Sequence, residues 1–162
     1  MSKHLALFLS TRNPKEYANL AAFSKITSTG LLALSSWFLV KKWALADGTI
    51  VFAALVSSFF SEVIIGTFLT PLAYYISVPI GSLSGFSLIS IRSKLSKLVP
   101  REEIGRILSL SSTLEAVIPF AASFVYSNLF ALSISWYPTL IYHFSALVVL
   151  VNLVVHWFEE FY

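Results

Sequence analysis

The chain has 162 residues, of which 57% are hydrophobic and 12% charged, with a formal net charge of +3 and a mean hydropathy of +0.80. An average soluble domain is about 25% charged, so the composition points to the bilayer as solvent and gives no support to nucleic-acid binding. The absence of cysteine excludes disulfides, thiolate catalysis and Cys-type zinc or iron–sulfur sites.

The chain opens with Lys3-His4 and a short apolar stretch, Leu5 to Leu9, which the polar run Thr11-Arg12-Asn13-Pro14 ends too soon for a signal-peptide core. Residues 1–17 read as an N-terminal connector. Apolar runs near the ~20 residues needed to cross the hydrocarbon core then predict five spans, at 18–40, 48–69, 71–95, 104–130 and 137–158, which together make one transmembrane bundle over 18–158. Residues 159–162 form a short tail. The expected fold is therefore all-α, a polytopic membrane helical bundle.

The breaks between spans carry charge, proline or interfacial aromatics. Lys41, Lys42 and Asp47 mark the first, Thr70-Pro71 the second and Trp136-Tyr137-Pro138 the last. The third holds Arg92, Lys94, Lys97, Arg101 and Arg106 against Glu102 and Glu103. The first and third are net positive and two spans apart, so they share a face, and retention of basic connectors makes that face cytoplasmic. Lys3, Arg12 and Lys15 then fall on the outer side, against the same rule. Earlier helices that fix the topology remove the conflict.

Ionisable residues inside spans are costly and mark function or pairing. Arg92, within a turn or two of the cytoplasmic end of its span, reads either as a positive-inside anchor or as the lining of a polar cavity. Glu115 lies roughly 16 Å into its span at 1.5 Å per residue. Burial disfavours its charged form and makes it a candidate proton carrier; the competing reading is an interhelical bond or an ion pair such as one with Arg92. Pro119, four residues on, removes a helix hydrogen bond next to it. Lys25 and Glu62, each roughly 10 Å from the outer face, are placed to pair with one another. Gly81 and Gly85 form a small-xxx-small pattern suited to close helix packing, and Pro79 just before them predicts a bend. His143 and His156 titrate in the range useful for proton coupling, or serve as hydrogen-bonded helix contacts.

The stretch Ile91-Arg92-Ser93-Lys94-Leu95-Ser96-Lys97-Leu98-Val99-Pro100-Arg101-Glu102-Glu103-Ile104-Gly105-Arg106 resembles the end of the tenth helix and the following loop of proton-coupled folate transporter-like carriers, members of the major facilitator superfamily. Thr29-Gly30-Leu31-Leu32-Ala33-Leu34 and Leu45-Ala46-Asp47 look like the family's eighth helix and the loop after it, and Leu114-Glu115-Ala116-Val117-Ile118-Pro119 looks like its eleventh. The resemblance implies that the five spans are similar to helices eight to twelve, part of the C-terminal half of the facilitator fold. It implies that Arg92 contacts substrate or couples protons. Two positions depart from the family pattern: Ser24 stands where a histidine is expected, and the loop before Trp136 lacks a lysine.

The function this implies is secondary active transport of a small organic anion, folate-like or related, coupled to protons through Arg92 and Glu115. No cofactor or metal and no enzymatic activity is implied. The expected partners are the lipid bilayer, the anion, protons, and the missing N-terminal helices or a full-length carrier, because facilitators rock one half against the other. The plasma membrane is favoured over the lysosomal membrane. The alternative is a stand-alone five-helix protein with a regulatory or assembly role. An intramembrane hydrolase, suggested by Ser84-Gly85 with His143, is disfavoured: a G-x-S-x-G elbow over 81–85 needs serine where the chain has Leu83, and no carboxylate is placed to orient the histidine.

Overall fold

The computed structural model describes residues 14–37, 46–68 and 70–161, and all regular structure among them is helical. The helices are α1 (Pro14–Ser36), α2 (Asp47–Thr67), α3 (Pro71–Ile80), α4 (Phe86–Leu98), α5 (Ile104–Ser133) and α6 (Leu140–Phe161); a 3₁₀ segment, Gly81–Gly85, joins α3 to α4. The protein is a multi-pass membrane protein: Asp47–Thr67, Leu72–Leu98, Ile104–Ser133 and Leu140–Glu160 are each long and apolar enough to cross a bilayer. Four of the five expected spans are thus matched by helices of spanning length and hydropathy, and the first expected span corresponds to α1. The first is long enough at 23 residues, but Asn19, Lys25 and Thr27-Ser28-Thr29 make it less apolar than the others. Its expected end at residue 40, with Lys41 and Lys42, lies outside the described residues. The α6 pass starts at Leu140 rather than 137, because Pro138 and Thr139 are still in the turn.

Local chemistry sets the helix starts. The Thr70 hydroxyl accepts from the Ala73 N–H at 3.2 Å and Pro71 follows it, where a missing N–H costs nothing. Asp47 opens α2, a favourable place for a negative charge beside the helix N-terminus.

The third pass is interrupted in its middle. Pro79 has no N–H to continue the α ladder, and the chain tightens to 3₁₀ geometry over Gly81–Gly85. Carbonyls around such a break need donors, since lipid supplies none. Ser82 Oγ donates to the Pro79 carbonyl at 2.7 Å. From α2, Ser61 Oγ donates to the Ser77 carbonyl at 3.0 Å and Ser57 Oγ to the Ile80 carbonyl.

These interhelical bonds require close approach, and Gly81 permits it: a Cβ there would lie 2.7 Å from Ser61 Oγ. Gly85 does the same for α1, where a Cβ would lie 2.8 Å from Leu32 Cδ1. The apolar core sits on this seam, with Ile50, Ala54 and Phe86 buried and Leu32 and Leu83 packed against them. On its other side α2 lies along α6. There Gly66 faces His143, Phe52 meets Trp157 with ring centroids 5.5 Å apart, and buried His156 donates from Nε2 to the Gly48 carbonyl at 2.9 Å.

Helix α5 is placed differently. Its second half touches α6 through Tyr126, whose hydroxyl is 2.8 Å from Ser145 Oγ and whose ring packs edge-on against Phe144. Phe120 and Phe124 remain 79% and 74% exposed, so most of the helix is left to lipid or to further protein. The helix runs unbroken through Pro119.

Candidate functional site

The charged residues converge at one end of the bundle, around the last turns of α4. Arg92, Lys94 and Lys97 are two and three residues apart, so at 3.6 residues per turn they point to different neighbours. Arg92 reaches α5: its Nε donates to Glu115 Oε1 at 3.2 Å and its Nη2 to Oε2. Lys94 reaches α6, with Nζ 2.6 Å from Glu160 Oε2. Lys97 reaches α2 and donates to Asp47 Oδ2, which also accepts from Ser93 Oγ at 3.0 Å. These are the three ion pairs among the described residues.

Arg92 and Glu115 thus meet as a two-pronged guanidinium–carboxylate contact, the geometry in which arginine binds carboxylates most specifically. Ser111, one turn before Glu115, adds a third contact at 3.3 Å to Oε1. The Arg92 side chain is 47% exposed and that of Glu115 29%, so the pair is reachable rather than sealed. The site therefore sets an arginine fork against a partly exposed carboxylate, a contact whose geometry suits carboxylates in general.

The remaining ionisable residues lie elsewhere. No ion pair joins Lys25 to Glu62: Lys25 is exposed on α1, while Glu62 is half-buried on α2, near Tyr142 of α6. Equal depth placed the two residues together in the sequence, but depth says nothing about rotation about each helix axis. His143 is satisfied by its surroundings, with Nδ1 3.2 Å from the Thr139 carbonyl and Tyr137 Oη within 3.3 Å. His156 is held by its bond to the Gly48 carbonyl.

The Lys94–Glu160 and Lys97–Asp47 pairs went unseen in the sequence, where the lysines counted only as topology signals. Partners 66 and 50 residues apart become visible only once helix rotations are known. The available signal was the presence of two acidic residues, Asp47 and Glu160, at the two other helix ends on the basic face.

No family model matches the chain, and no curated protein and no solved structure matches it either.

Proposed function

We propose that the chain is the C-terminal membrane portion of a proton-coupled carrier of the major facilitator superfamily, moving a small organic anion of folate-like or related chemistry. The observation that carries this reading is the two-pronged contact of Arg92 with Glu115. A substrate carboxylate offers the same two oxygens to the same fork. Protonation removes the charge of Glu115 and turns one of its oxygens into a donor, which frees Arg92 for the incoming anion. Loss of the proton returns Glu115 to Arg92 and expels the anion. Proton and anion then move in the same direction.

The placement of α5 supports the same reading. At this end α5 meets α4 through the exchangeable pair, so replacing Glu115 with a substrate loosens one helix against the other, as a gate requires. The exposed face of α5 is where preceding helices of such a carrier would pack. We assign the carrier to the plasma membrane in preference to the lysosomal one.

The test is uptake of radiolabelled folate, as probe anion, by cells expressing the native protein, in acidic and neutral medium. Arg92→Gln is expected to abolish uptake at normal surface expression. Glu115→Gln is expected to keep anion exchange and lose the acid stimulation. Normal acid-driven uptake in both variants would remove Arg92 and Glu115 from the transport path, and no uptake by the native protein would remove the carrier reading. If the native polypeptide proves to be this chain alone and transports nothing, the assembly role takes its place.

A further inference from the structure

A groove of about 470 Å³ runs along the bundle between α4 and α6, with α2 as its floor. Its volume falls within the roughly 300–1,000 Å³ of small-molecule sites. It is partly open, and the helices that wall it belong to segments long and apolar enough to cross a membrane. The walls divide by depth. Val51, Leu55, Ile91, Leu95 and Val155 form an apolar trough, and Lys94 and Glu159 stand at the charged end.

The three polar side chains within the trough are already bonded: His156 Nε2 donates to the Gly48 carbonyl, and the other two are turned onto their own helices. Ser87 Oγ donates to the Ser84 carbonyl at 2.9 Å and Asn152 Nδ2 to the Val148 carbonyl at 2.8 Å. The trough therefore receives an acyl chain without stranding a donor.

The rim selects a headgroup. Lys94 gives one of its three N–H groups to Glu160, which leaves two for a phosphate. The Glu159 carboxylate lines the same end and has no ion-pair or hydrogen-bond partner among the described residues. One cation and one unpaired anion at the mouth of an apolar trough complement a zwitterion whose positive end carries N–H donors. A purely anionic headgroup would meet Glu159 and Glu160 as like charges. A quaternary ammonium has no N–H to give.

We infer that this groove binds a phospholipid with a primary ammonium, phosphatidylethanolamine, with its phosphate on Lys94, its ammonium on Glu159 and an acyl chain along Leu55 and Leu95. The site is separate from the Arg92–Glu115 pair and stands whether or not the carrier reading holds.

The test is native mass spectrometry of the purified protein in detergent, with an equimolar mixture of phosphatidylethanolamine, phosphatidylcholine and phosphatidylglycerol. Bound phosphatidylethanolamine is expected to exceed each of the others by about tenfold, the effect of one charge-assisted hydrogen bond. Glu159→Gln, which alters an exposed residue without a partner among the described residues, is expected to bring phosphatidylethanolamine down to the level of phosphatidylcholine while leaving retention of phosphatidylcholine as in the wild type. Ile91→Trp, which fills the trough, is expected to lower retention of all three. Equal retention of the three lipids by the wild type, a preference for phosphatidylglycerol, or a preference that survives Glu159→Gln would each overturn the assignment. So would loss of the preference in a longer native polypeptide, because a protein segment would then be the occupant.

Discussion

The two sides of the broken third pass are built on different principles. Toward α2 and α1 the 3₁₀ segment is held by glycines, buried apolar residues and serine-to-carbonyl bonds, all of which demand one fixed separation of helices. Toward α5, α4 is held at the basic end by one partly exposed guanidinium–carboxylate pair. Interlocked side chains tolerate little displacement, whereas an ion pair re-forms after its partners part. The α2–α3–α4 seam is thus the more tightly held side, and the α4–α5 boundary, the place of the proposed exchange of carboxylates, the less tightly held one.

The largest expected effect comes from breaking the tightly held side. Gly81→Val places branched atoms where a single Cβ already comes within 2.7 Å of Ser61 Oγ, and overpacking of this kind costs roughly 1–3 kcal/mol. Thermal unfolding in detergent should show a clear drop in Tm, and an unchanged Tm would mean that the seam is loosely packed.

A double-mutant cycle with Arg92→Gln and Glu115→Gln should return a coupling of at most about 1 kcal/mol, in the range of exposed ion pairs. Its stability effect should be smaller than that of Gly81→Val even where transport is lost. A coupling larger than the Gly81 effect would invert the comparison. Smallest of all, Ser57→Ala removes one interhelical bond and should cost about 0.6 kcal/mol, the mean for such bonds in a membrane bundle. The loss should be read by the same melts, with no change in uptake.

Much of the tightly held side was legible in the sequence. Pro79, Gly81 and Gly85 announce a bend and a close approach, because backbone conformation and missing atoms are properties of single residues. The Ser57 and Ser61 bonds were not legible, since serine is unremarkable on any helix until a broken neighbour presents its carbonyls. On the less tightly held side, Arg92 and Glu115 each stand out as ionisable groups in an apolar span, and the structure sets them in contact. Lys25 and Glu62 stand out equally and do not meet. Sequence gives how deep a charge lies along its helix, but the direction in which it points depends on packing that many distant residues decide together.

The three cations of α4 divide their attachments among three helices, so a rotation of α4 about its own axis displaces the ends of all three links in one movement. The facing of the helix is therefore fixed at three points at this end of the bundle, and removing any single link leaves two that still hold it.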